Sequence, residues 1–163
     1  MATSQALKSL QNRFGEKILK VREKNEHRFY VRVPPEEVCE MAMHLYRECE
    51  WRLATITGVD TRSGIELLYL FLIAPEHRFL TLRALVTKPE AAIDSLGRLL
   101  PAAEWAEREA GEILGVTFRD HPHPHRLILP DDWPEGVYPS RRDYDMSQHQ
   151  RPYEAKGSGQ EGA

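Results

Sequence analysis

Three histidines, His121, His123 and His125, alternate with Pro122 and Pro124 in the C-terminal third of the chain. Imidazole is the commonest metal ligand, so the run invites a metal-site reading. Each proline is stiff and holds its predecessor extended, which puts the three rings on one side of a rod-like stretch. Ligands this close in sequence reach one ion only if the chain bends, and these prolines oppose the bend. The run therefore reads first as polar loop residues, with a metal site at His121, His123 and His125 as the alternative. A second group, Glu107-Arg108-Glu109, lies in a stretch of helical periodicity. Residues two apart on a helix point in different directions, so the two carboxylates do not converge for acid–base work. The sequence holds no Ser-His-Asp arrangement and no glycine-rich phosphate loop to set beside them.

The helix carrying that group starts at Pro101, runs to about Leu114 and is stopped by Gly115. On a helical wheel Ala102, Ala103, Ala106, Ala110, Ile113 and Leu114 form the apolar arc, opposite Glu104, Arg108, Gly111 and Glu112. Glu104 and Arg108 are spaced to pair on the surface. Glu109 falls at the edge of the arc, between Trp105 and Ile113. A carboxylate there is costly unless it reaches water, a cation or several N–H donors.

The elements upstream must position this helix. Ser4 caps a helix with Leu7, Leu10, Phe14, Ile18 and Val21 on one stripe. His27–Val33 alternates as a strand. Pro34-Pro35-Glu36-Glu37 opens a helix with Val38, Met41, Ala42, Leu45 and Cys49 on one side. Leu53–Val59, Ile65–Ala74 and Arg78–Thr87 are joined by turns at 60–64 and 75–77, which predicts an antiparallel meander. The middle strand is apolar on both faces, which suits helices on one side and a partner on the other. Ala91–Leu100 reads as a short helix or turn. The fold class is α+β: helix, strand, helix, three-strand meander and helix around a four-stranded sheet, followed by an extended Pro- and aromatic-rich tail.

The chain has 163 residues, with 22 Lys+Arg against 25 Asp+Glu and a formal charge of −3. That balance argues against nucleic acid as the main partner, because phosphate binding needs a concentrated basic surface. The longest apolar run, Ile65–Ala74, falls well short of the roughly 20 residues that span a bilayer, and the first residues lack a secretory pattern. Cys39 and Cys49 would stand about 15 Å apart on one helix, too far to bridge, and they read as reduced packing residues of a cytoplasmic protein.

Pro122, Pro124, Pro130, Pro134, Pro139 and Pro152 crowd residues 116–163, which carry no helical stripe. The chain thus divides into an α+β domain over 1–115, an extended docking tail over 116–154 and a flexible end over 155–163. Trp133, Tyr138, Tyr144 and Tyr153, interleaved with Arg141, Arg142, Asp143 and Asp145, suit a segment laid on another protein. The competing arrangement folds the tail back on its own sheet.

Glu107-Arg108-Glu109, Ile113-Leu114-Gly115-Val116, Phe118, His121-Pro122, Arg126, Glu135-Gly136, Pro139 and Arg141-Arg142-Asp143 form a long ordered motif. It resembles the 30-kilodalton (C) subunit family of respiratory complex I and of the related energy-converting nickel–iron hydrogenases. Leu127 to Pro139 is more similar to the hydrogenase and formate-hydrogenlyase branch, because Val137-Tyr138-Pro139 stands where the quinone-reductase branch has a His-Pro. Ser140 and Arg142 stand where the family usually has Leu and Lys. The resemblance implies a peripheral, cofactor-free subunit on the cytoplasmic side of a membrane-bound complex, touching the membrane only through that complex. It implies that the tail wraps the large catalytic (hydrogenase or 49-kDa-like) subunit. The signature residues at that interface are Glu107, Arg108, Glu109, Gly115, His121, Pro122, Arg126, Trp133, Glu135, Gly136, Tyr138, Arg141, Arg142 and Asp143. It places iron–sulfur clusters, and nickel–iron or quinone, in partner subunits that include an iron–sulfur small subunit. The sequence offers no catalytic residue of its own.

Overall fold

Leu7, Leu10 and Phe14 recur at helical spacing and are buried along α1 (Gln5–Phe14) in the computed structural model, which describes residues 5–73 and 77–148. Ser4, the expected cap, lies outside the described residues, as do Tyr153 and the 155–163 end. The helical stripe predicts that α1 continues through Ile18 and Val21; instead a 3-10 turn over Gly15–Lys17 ends it and the chain enters β1 (Lys20–Asn25). Glycine is a poor helix residue, and the β-branched Ile18 and Val21 suit extended backbone. From Lys20 to Arg22 side chains alternate, with only Val21 partly covered.

β1 forms a hairpin with β2 (Arg28–Arg32), so the main sheet has five strands and not four. After the Pro34-Pro35 corner, α2 (Val38–Arg47) buries Val38, Met41, Ala42 and Leu45 of the expected stripe and His44 beside them, while Cys49 lies past its end and is half-buried. The meander forms as β3 (Arg52–Thr61), β4 (Gly64–Ile73) and β5 (Arg78–Val86). Strand order is β1-β2-β5-β4-β3, antiparallel except for the parallel β2–β5 pair. One cross-strand row, Val21–Val31–Leu82–Tyr69–Ile56, faces the helices and belongs to or borders the core.

Residues 91–100, expected as a short helix or turn, contain a strand, β6 (Ala92–Asp94), then a turn closed by Leu99 and Leu100 N–H groups on the Leu96 carbonyl. Ile93 needs a partner for its extended backbone and finds it in β7 (Thr117–Arg119), which pairs parallel to β6 just after α3 (Glu104–Leu114). α3 lies close on β3: a Cβ on Gly58 would come within 2.5 Å of the Leu114 side chain. Among the described residues no helix is long and apolar enough to cross a membrane.

Candidate functional site

A buried stripe runs from Ala103, at the end of the 3-10 turn over Pro101–Ala103, through Glu107, Ala110 and Leu114 of α3, spaced four, three and four. The helical wheel puts Glu109 at the arc's edge, but Glu109 is exposed and Glu107 is wholly buried. The wheel fails here because it ranks positions by apolarity. The cost of a buried carboxylate is offset by N–H and O–H groups from a distant loop. Leu96 N–H donates to Oε1 at 2.7 Å, and Ser95 Oγ–H and Gly97 N–H donate to Oε2 at 2.6 and 3.2 Å. Burial nevertheless holds the Glu107 pKa above the ordinary carboxylate value, against these hydrogen bonds. Tyr69, buried nearby, has its phenol pKa pushed well up by burial and by the Glu107 charge.

His121 closes the outer side of this pocket. Its side chain is 3% exposed, with Nε2 3.1 Å from the Glu104 carbonyl and 3.8 Å from Glu107 Oε2. The His123 N–H donates to His121 Nδ1, which assigns the ring proton to Nε2. His123 turns to the Glu104 carboxylate at 3.0 Å and His125 is exposed. The three rings do not form one set: the His121 side chain is buried, whereas His123 and His125 are exposed. Among the described residues no cluster of three His, Cys, Asp or Glu side chains could hold a metal ion, so the alternative metal module is not assembled.

With Glu104 bound to His123, Arg108 does not form the expected pair with it. Arg108 instead donates from Nε to the His125 carbonyl at 2.8 Å and from Nη2 to the Arg126 carbonyl at 2.7 Å. Glu112, one turn on, accepts the N–H groups of Leu127, Ile128 and Leu129. Arg126 folds the next loop by donating to the carbonyls of Pro130 and Trp133. Trp133 Nε1–H closes the following turn on the Val137 carbonyl, and exposed Glu135 and Gly136 form its tip, with Gly136 at φ +74°.

The far end of the tail caps α3. Gly115 ends the helix at φ +70°, and a Cβ there would lie 2.5 Å from the Tyr138 ring and from Arg141 Nη2. Arg141, stacked 4.3 Å over Tyr138, donates to the carbonyls of Leu114 and Gly115, a cation at the negative end of the helix dipole. Ser140, which stands where the family usually has Leu, contributes its backbone N–H to the Ile113 carbonyl. Arg142 likewise acts through its N–H, on the buried Asp60 carboxylate, which Lys88 also pairs at 2.8 Å. The Lys88 contact holds the Asp60 pKa down. Pro122 and Asp143 are exposed.

Residues 121–144 thus run along the side of α3 and reach β3 through Asp60, neither free of the domain nor folded across its sheet. Trp133 and Tyr138, expected as docking aromatics, are half-buried against their own chain. Within α3 and residues 121–144, the large apolar groups that remain outside are Trp105, 68% exposed, and Ile128, 54% exposed. Sequence reasoning missed Glu112, Ser95 and Ile128. The four-residue spacing of Arg108 and Glu112 was the available signal for the first.

Residues 31–150 match the family described as the respiratory-chain NADH dehydrogenase 30 Kd subunit. The chain belongs to that family. The C subunit of the NADH-quinone oxidoreductase of Geotalea uraniireducens (strain Rf4) is 30% identical over 159 residues, covering 94% of each chain. The C/D subunit of the same oxidoreductase in Serratia proteamaculans (strain 568) is 28% identical over 147 residues, 83% of this chain and 24% of that one. In fold, this member of the 30-kDa family is similar to a chain of the membrane-bound sulfane sulfur reductase, an archaeal respiratory membrane complex. The TM-score is 0.76 at 23% identity, over 88% of this chain and 85% of that one.

Proposed function

We propose that this 30-kDa-type subunit is a peripheral, non-catalytic docking subunit of a membrane-bound, proton-coupled redox complex. It seats α3 and its tail on the large catalytic subunit at the cytoplasmic side of the membrane. The observation that carries this reading is the pair Trp105 and Ile128: large apolar groups in water, on a unit whose backbone Arg108 and Glu112 already hold. Anchors that are ordered before binding lose little entropy on docking. The Serratia relative, whose name joins C and D in one chain, supports a C-to-D contact.

Electron transfer is assigned to iron–sulfur clusters, and nickel–iron or quinone, in partner subunits. Cluster ligation takes about four thiolates, whereas this chain has two cysteines. Burial pushes the Cys39 thiol up to about 11, away from the thiolate a metal needs.

Within the family, Val137-Tyr138-Pro139 after Glu135-Gly136 favours the energy-converting hydrogenase branch. A second reading, a genuine C subunit of an NADH-quinone oxidoreductase, is favoured by the names of the relatives. Activity of the complex purified through this chain decides the branch: hydrogen-linked electron transfer supports the first and NADH–quinone transfer the second. For docking itself, the double variant Trp105→Ser/Ile128→Ser is expected to lower recovery of the large subunit at least tenfold with the far-ultraviolet circular dichroism unchanged. Undiminished recovery contradicts the reading.

A further inference from the structure

The helices cover one face of the main sheet, and among the described residues no element covers the other. That open face has a sharp division. On β1 and β2 it carries Lys20, Arg22, Arg28 and Arg32, all exposed and without ion pairs among the described residues. Toward β4 and β5 it becomes a groove of about 330 Å³ floored by Leu68, Leu70 and Phe79, with the hydroxyls of Thr55, Thr57 and Thr81 along it. Its acid, Glu66, is already paired with Arg83.

We infer that this face is a second docking surface, and that it takes an acid-bearing surface of a neighbouring subunit. An apolar side chain of that subunit enters the groove while its carboxylates meet the cations of β1 and β2. The inference rests on the chain's proposed place in a larger complex and names a face distinct from α3 and the tail. The chain as a whole is acidic, at −3, so a concentration of unpaired cations on one face selects its partner by charge. A second copy of this chain is disfavoured, because face-to-face contact sets the two cationic halves or a cationic half and an already neutralised one together. A bilayer is disfavoured because its interface takes protruding apolar groups, whereas these are recessed in a groove between strands. Hydroxyls lining the groove suit a partner with peptide or side-chain hydrogen-bonding groups.

The test is photo-crosslinking in the intact complex, with p-benzoylphenylalanine placed at Thr55 or Thr57, both exposed on the groove. The expected product joins this chain to a peptide of another subunit that carries at least two Asp or Glu. Charge reversal by Arg28→Glu/Arg32→Glu is expected to lower that adduct at least tenfold, with the circular dichroism unchanged. Adducts with lipid alone or with a second copy overturn the inference, as does an adduct indifferent to charge reversal. A complex that contains the chain but gives no adduct overturns the inference and leaves the α3 docking reading standing. Failure of the unaltered chain to co-purify with any complex overturns both.

Discussion

Arg108 and Glu112, one helical turn apart on α3, hold four successive peptide units of the tail. Arg108 takes the carbonyls of His125 and Arg126, and Glu112 takes the N–H groups of Leu127, Ile128 and Leu129. The two side chains match donors and acceptors to one stretch of backbone, so the grip is indifferent to the tail's own side chains. This explains how Ile128 can point to solvent from an ordered strap.

Removing either half of the grip frees the strap. Arg108→Ala and Glu112→Ala are each expected to cost about 2 kcal/mol, the scale for charge-assisted hydrogen bonds in a partly buried setting. Amide hydrogen exchange at Leu127, Ile128 and Leu129 should quicken in both variants while the β4 and β5 amides keep their protection. The double variant should cost less than the sum, since each single change already loosens the same segment.

Gly115 links the helix to the strap by its conformation and its lack of a side chain. Gly115→Ala should lower stability by about 1–3 kcal/mol, combining a left-handed backbone angle with displacement of Tyr138 and Arg141. Thermal unfolding measures it. In the same variant, residues 138–144 should become accessible to limited proteolysis; full protection there contradicts the close approach.

Glu107 predicts a pH dependence. Its folded-state pKa lies above the ordinary 4.5, with burial as the main cause. The neutral acid is therefore favoured by folding. Its contribution is fully present below about pH 4.5 and is lost as pH rises through the raised folded value. Glu107→Gln removes this titration. The stability of the natural chain relative to that variant should fall as pH increases from about 4.5, read by chemical denaturation. A constant difference would falsify the assignment.

His44 works with the opposite sign. Burial lowers its pKa from 6.5, and Ser9 Oγ lies 2.8 Å from Nε2. A base with a depressed folded value contributes stability above its unfolded pKa, lost as pH falls through the folded one. In His44→Gln the decline of stability below about pH 6.5 should be shallower, as followed by thermal melts across that range.

The periodic elements were legible in the sequence because burial repeats in them. The α2 stripe from Val38 to Leu45 and the meander both stand where the spacing put them. β1 was not legible: Phe14, Ile18 and Val21 satisfy helical spacing as well as Val21 satisfies strand alternation, and pairing with β2 decides between them. The site was legible as a set of residues but not as an arrangement. Besides the Ser95 hydroxyl, the partners of Glu107 are backbone N–H groups of Leu96 and Gly97, and those of Arg108 are carbonyls. Backbone groups leave no mark in sequence, so a carboxylate between alanines gave no sign of which one turns inward.

The central claim is that α3 and its strap hold this chain to the large catalytic subunit. The most direct measurement is recovery of this chain with a tagged large subunit, for the full chain and for a version ending at residue 120. The predicted result is a shortened chain that keeps its core circular dichroism, is recovered at least tenfold less, and leaves the complex without its redox activity. Equal recovery with full activity would contradict the claim.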